Sequence, residues 1–281
     1  MEVDFAKDDV TGFVELRPAE VRFDPCLPLD SRIPEPSSRT RPRNRDFTFY
    51  VQASYSGIMM LSRAETKALY DKIAKVYDLL SEHTEGPVCE EGLRMLAPQP
   101  GETVLEIGYG TGHALVWLAR AVGPSGKVHG IDLSDGMMAV TESLIRHEGV
   151  ADRAELRSGD ATDLPYPADS MDAVFMSFTL ELFDTPEIPV VLAQCRRVLR
   201  AGGRIVVVGM SKEGEHGMVY EAYEWTHRHF PNFVDCRPIF VSRVVAEAGF
   251  RVTRKRNVQI WVPMEIVRGE KPVSARAAGD P

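Results

Sequence analysis

Cysteine is scarce in this chain. Cys26, Cys89, Cys195 and Cys236 stand far apart, and no two form a CxxC or similar short pair. Neither a zinc site nor a disulfide framework is expected. A reducing compartment suits such thiols, so the chain reads as cytoplasmic. Basic charge is also in short supply: 33 Lys and Arg stand against 41 Asp and Glu, a net charge of −8. A general nucleic-acid binder needs a basic footprint to offset phosphate charge, so no nucleic-acid partner is expected. No apolar run is long enough to span a bilayer. Glu2, Asp4, Asp8 and Asp9 come early, with no apolar stretch behind a basic start. Neither a secretory signal nor an acid-poor transit peptide is therefore expected.

What is present is an ordinary globular composition. The 281 residues are 44% hydrophobic, enough to bury one large core without covalent staples. Residues 1–56 differ from the rest. They hold Pro18, Pro25, Pro28, Pro34, Pro36 and Pro42, then Arg39, Arg41, Arg43 and Arg45 in alternation. Two readings stay open for this extension. It is a disordered or loosely docked segment, or an arm for homodimerisation or peripheral membrane contact through its arginines and Phe47, Phe49 and Tyr50. A domain is expected over 57–270, with a tail at 271–281.

Within the domain, residues 62–80 carry apolar positions at helical spacing. Strands are expected at 103–108, 127–133, 154–160, 171–178, 204–210, 250–256 and 258–268. Helices are expected at 113–122, from Asp135 as N-cap to 148, and at 187–200, 217–229 and 240–248. Strands alternating with helices imply a mostly parallel sheet covered on both faces. The last two strands are joined too tightly for a crossover, so one of them runs antiparallel.

At the end of the first strand stands Glu106-Ile107-Gly108-Tyr109-Gly110-Thr111-Gly112, and a helix follows at once. Glycines here permit a sharp turn and a close ligand approach. The second strand ends in Asp132, an acid placed to accept from ribose hydroxyls. A dinucleotide loop would need a third glycine where this chain has His113. The spacing therefore favours a nucleoside ligand without a pyrophosphate. His113 and His129 read as structural residues.

The ordered series EIGYGTG, GIDLS, GDA, SMDAV and RRVLRAGGR resembles the class I S-adenosylmethionine-dependent methyltransferases. The segment Tyr70-Asp71 through Tyr77-Asp78 is similar to the opening of the ubiquinone and menaquinone C-methyltransferase branch. The resemblance implies an α/β, Rossmann-like fold: a seven-stranded, mostly parallel sheet with an antiparallel last strand and helices on both faces. It implies S-adenosyl-L-methionine as cofactor, S-adenosyl-L-homocysteine as product, and a small-molecule methyl acceptor. It places Glu106, Gly108, Gly110 and Gly112 around the methionine part and Asp132 on the ribose. Leu133 and Met137 fall beside the adenine, and Asp160 and Ala161 at its amine and ring. Ser177 and Phe178 come near the sulfonium, and Tyr77 over the cofactor. Tyr109 departs from the small residue common there, either narrowing the pocket or pointing into a lid.

An aromatic or quinone-type acceptor comes first. Phospholipid head groups and other small metabolites come second, and a nicotinamide oxidoreductase or a non-catalytic cofactor-binding module is the rival from another class. A phenol-like acceptor needs a general base near neutral pH. Glu181, in the segment after the fourth strand, and His216, Tyr220 and His227, in the lid segment after the fifth, are the candidates. His227 and His229 have no third ligand in view, so no metal is expected.

Overall fold

The computed structural model describes residues 63–73, 77–213, 238–259 and 262–273, apart from the side chains of 63, 69, 72–73 and 77–85. The expected helix over 217–229, the 1–56 extension and most of the tail lie outside these residues. In chain order the elements are α1 (Arg63–Ile73), α2 (Tyr77–Leu96), β1 (Thr103–Ile107), α3 (His113–Val122), β2 (Lys127–Asp132) and α4 (Asp135–His147). There follow β3 (Ala154–Ser158), β4 (Met171–Ser177), a 3-10 turn (Leu180–Leu182), α5 (Ile188–Val198), β5 (Leu199–Met210), α6 (Val241–Glu247), β6 (Arg251–Gln259) and β7 (Pro263–Glu270).

The seven strands form one sheet in the order β3-β2-β1-β4-β5-β7-β6. Strands β3, β2, β1, β4 and β5 pair in parallel. Strand β7 is the reversed one, antiparallel to both β5 and β6. From β1 the chain builds outward through β2 to β3, then crosses back to β4 and builds the other way. The loops leaving β1 and β4 therefore diverge and leave a crevice at the carboxyl ends of the strands.

The strands' period of two sorts the core by parity. Val104, Ala173, Phe175, Val206 and Val208 face one side, against Val88, Leu93 and Leu96 of α2, Leu115 and Leu118 of α3 and Met137 of α4. Leu105, Ile107, Val174, Met176, Ile205 and Val207 face the other, against Val191, Leu192 and Cys195 of α5 and Val241 and Val245 of α6. Nearly all are fully buried, each contributing about 1.5–3 kcal/mol by removal from water.

Several boundaries differ from the expectation. Helix α2 runs on to Leu96 and contains Pro87. It is held by close docking: a Cβ at Gly92 would lie 2.4 Å from Val208 Cγ2. Arg204 of β5 clamps its end, donating to the Leu96 and Ala97 carbonyls and to Glu102. The N-cap of α4 is Ser134, not Asp135; the Ser134 hydroxyl accepts from Met137 N at 3.0 Å. Strand β5 starts at Leu199, ahead of the Gly202-Gly203 turn. Strand β6 runs to Gln259 and β7 begins only at Pro263.

Candidate functional site

The crevice is lined by the loop after β1, by Asp132, Leu133, Ser134 and Met137 after β2, and by Gly159, Asp160 and Ala161 after β3. Ser177, Phe178 and Thr179 come from the end of β4. Thr66, Lys67 and Tyr70 of α1 close one side, with Gly86 and Cys89 of α2.

The three glycines of the first loop do different work. At Gly108 (φ +71°) a Cβ would fall 2.2 Å from Thr179 Oγ1, so the loop closes against the residue that follows β4. At Gly112 (φ +93°) a Cβ would fall 2.5 Å from Thr141 Cγ2. Gly112 therefore serves close packing of α4 and the start of α3, and it is not among the residues lining the crevice. Gly110 presents its backbone: its N–H donates to Asp132 Oδ2 at 2.9 Å and its carbonyl accepts from Thr141 Oγ1 at 2.7 Å. Tyr109 is among the residues that line the crevice. Its ring is buried over Gly130 of β2, and its hydroxyl reaches the Arg157 carbonyl at 3.4 Å.

Glu106 is buried, and its Oε2 has no hydrogen-bond partner among the described residues. Burial, reinforced by the Asp132 charge, pushes its carboxyl well above the ordinary glutamate range. Asp132 also feels burial, which raises its carboxyl; the Ser134 and Gly110 backbone N–H groups act in the opposite direction. Asp132 Oδ1 accepts from Ser134 N and Oδ2 from Gly110 N, and the Leu133 N–H also acts on this carboxyl. Asp160 lines the crevice while its Oδ1 holds the turn that follows, accepting from Thr162 N at 2.9 Å and Thr162 Oγ1 at 2.8 Å.

The end of β4 is bent. Phe178 sits at φ +50°, a left-handed conformation that costs a non-glycine residue about 1–2 kcal/mol. Its N–H donates to Val208 O at 2.9 Å. The turn leaves Ser177 Oγ buried without a hydrogen-bond partner among the described residues. Two buried oxygen-bearing side chains, Glu106 and Ser177, thus line one crevice with Phe178 and Met137.

The other expected residues are placed as follows. Glu181 is fully buried below the crevice and accepts from Met210 N at 3.1 Å. It is not a lining residue, because the 3-10 turn directs it under β5; Leu182, Phe183, Asp184 and Glu187 of the same segment line the crevice instead. His113 lines the crevice as well, which its reading as structural missed. His129 faces the Tyr166 ring, with centroids 5.3 Å apart. Tyr77 opens α2, and its side chain lies outside the described set, as do His216, Tyr220 and His227. No group of three or more His, Cys, Asp or Glu able to hold a metal occurs among the described residues, and no described helix is long and apolar enough to cross a membrane.

Sequence reasoning gave no role to Asp71, the last acid of α1. Its Oδ1 accepts from Ser134 Oγ at 2.6 Å and Gly136 N at 2.8 Å. These bonds, Ser134 first, lower its carboxyl to about 2. Only the pairing of two segments 65 positions apart reveals it.

A family model described as a methyltransferase domain matches residues 104–203. Nocamycin O-methyltransferase of Saccharothrix syringae is 36% identical over 141 residues, covering 50% of this chain and 49% of that protein. Demethylmenaquinone methyltransferase of Lactobacillus johnsonii is 30% identical over 169 residues, covering 59% of this chain and 68% of that protein. The chain thus spans between half and about two thirds of the length of these curated relatives. Among solved structures, the [4+2]-cyclase SpnF shares the fold with a TM-score of 0.62 at 16% identity, covering 78% of this chain and 99% of that one.

Proposed function

The chain belongs to the S-adenosylmethionine-dependent methyltransferases, and from that premise we propose that the crevice transfers a methyl group to a small acceptor of aromatic or quinone type. The observation that carries this reading is the pair Glu106 and Ser177. Both hold buried polar oxygens without hydrogen-bond partners among the described residues, beside the glycine loop. A buried carboxyl of this kind is costly unless a ligand meets it. A cationic amino-acid group suits Glu106, and a nucleoside suits Asp132 and the apolar Leu133 and Met137, so the residues fit the donor. When bound, that donor supplies a methyl on a sulfonium, already activated for transfer.

The chain's own residues bind, orient and exclude water. Glu106, with the backbone of Gly108 and Gly110, holds the methionine part. Asp132 holds the ribose, and Asp160 and Ala161 face the base. Phe178 and Ser177 meet the reacting end, where fixing two reactants in line is worth roughly 7–11 kcal/mol. Glu181 drops out as a base in direct contact with an acceptor. His113, Asp184 and Glu187 take its place among the cleft-lining titratable groups, beside the lid candidates His216, Tyr220 and His227. Of the two curated relatives above, one carries the name of a demethylmenaquinone methyltransferase, which supports a quinone-type acceptor over a phospholipid amine or another metabolite; the other is named an O-methyltransferase. Residues 39–50 carry the membrane-contact and homodimer readings, tested by vesicle co-sedimentation and light scattering.

The test is calorimetric titration with S-adenosylmethionine and, separately, NADH, on the native protein and Asp132→Ala. Binding of the methyl donor alone, weakened at least tenfold in the variant, is expected. Labelled methyl transfer to quinols, phenols and lipid amines then identifies the acceptor. NADH binding in its place moves the protein to the oxidoreductases. Donor binding without transfer to any acceptor leaves the non-catalytic module.

A further inference from the structure

Helix α4 begins with two caps. Ser134 serves its own helix by accepting from Met137 N at 3.0 Å. The N–H of Gly136, one residue earlier, is met by Asp71 of α1 at 2.8 Å. A helix start leaves several N–H groups without partners and favours negative charge, so a carboxylate delivered from another helix is well placed. The same carboxylate accepts from Ser134 Oγ at 2.6 Å. Lys67, one turn back on α1, bridges Asp71 and Asp135 at 3.0 and 2.7 Å. The approach is close: a Cβ at Gly136 would stand 2.8 Å from Asp71 Cα and 3.0 Å from its carbonyl oxygen.

This contact lies within one short relay of the ribose acid. Ser134 N donates to Asp132 Oδ1, and Asp132 Oδ2 accepts from Gly110 N, both at 2.9 Å. One face of α1 (Thr66, Lys67, Tyr70) meanwhile forms a wall of the crevice. We propose that Asp71 is a latch: it fastens α1 over the cofactor crevice by capping α4, and in doing so holds the Ser134–Asp132–Gly110 relay in its binding geometry. Cofactor exchange then requires Asp71 to leave the start of α4. Asp71 is a positioning residue, acting through Ser134 and Asp132. The inference rests on the methyl-donor reading of the crevice.

The experiment is hydrogen exchange by mass spectrometry on the full chain without ligand, paired with stopped-flow dissociation of S-adenosylmethionine. Asp71→Ala is expected to speed exchange across 63–73 and at the start of α4 about tenfold, and to speed donor release by a similar factor, the scale of a lost charge-assisted bond. Exchange in β1, β4 and β5 stays as in the native protein. Asp71→Asn keeps an oxygen facing Ser134 and Gly136 and recovers most of both effects. Gly136→Ala removes no polar group, yet drives α1 off and reproduces Asp71→Ala. Asp132→Ala weakens the donor but leaves α1 protected.

Unchanged α1 exchange in Asp71→Ala overturns the latch. So does faster exchange with unaltered donor release. If the native protein binds no donor, the methyltransferase reading fails, and with it the link to cofactor exchange. The α1 exchange data then still decide whether Asp71 fastens the helix.

Discussion

At the ends of β1, β2 and β4 the crevice is shaped by backbone: left-handed turns at Gly108 and Phe178, N–H groups on Asp132, and strand ladders beneath. Along α1 it is shaped by side chains of one helix face, held through the partly exposed Lys67 and Asp71. The first region cannot move without breaking the sheet. The second can leave at the cost of a few hydrogen bonds. A site that must be exact in geometry and yet exchange its ligand divides those demands between a fixed floor and a detachable wall.

The largest test of that division strikes the floor. Gly108→Ala adds a Cβ 2.2 Å from Thr179 Oγ1 at φ +71°. It should destabilise by about 2–4 kcal/mol through strain and overpacking, lowering the melting temperature by roughly 5–15 °C. A second change, Thr179→Ala, should recover only the steric part. An unaltered melting temperature in the single variant would show that the loop does not close on Thr179.

Next comes Glu106→Gln. The folded-state pKa of Glu106 lies above its ordinary value of 4.5, so ionising it opposes folding increasingly as pH rises past that value. The variant should therefore melt higher than the native protein, by more at pH 8 than at pH 4.5, while binding the methyl donor at least tenfold more weakly. In the native protein, a cationic ligand should expel the Glu106 proton at mildly acidic pH. Titration calorimetry would then give enthalpies that differ between buffers of different ionisation heat, and in Glu106→Gln they should agree. Buffer-independent binding in the native protein would mean that Glu106 does not face the ligand's charge.

The smallest effect belongs to the wall. Lys67→Ala removes two ion pairs, one to the partly exposed Asp71 and one to the exposed Asp135, surface contacts of a kind that contributes little to stability. The melting temperature should shift by no more than roughly 2 °C. A larger drop would mean that α1 is part of the fixed core.

Much of this floor was legible in the sequence, because the glycine loop, Asp132 and the strand periods are local signals. Helix α3 starts and stops at the expected residues, since Gly112 and Gly123 bracket a clear apolar stripe. Elsewhere local signals misled. The helical spacing expected over 62–80 does not reach Leu96, yet the burial of Val88, Leu93 and Leu96 against β4 and β5 carries α2 through Pro87. Ser134 and Asp135 are both good caps, and only the turn geometry selects Ser134. Gly112 carries a ligand-loop signature but packs against Thr141. Glu181 sits in the expected segment but on the inward side of a 3-10 turn, an orientation that no strand or helix period encodes. Asp71 was illegible because its partners are distant in sequence.

Strand β7 follows β6 in the chain but lies between β5 and β6 in the sheet. Until residues 263–270 emerge from the ribosome, β5 therefore presents an unpaired edge along Arg204 to Met210, all but Arg204 apolar or glycine. Any partly folded chain in which β7 has not yet inserted leaves that edge open, the condition most exposed to edge-to-edge association. Solubility during synthesis thus depends on how quickly one eight-residue strand inserts.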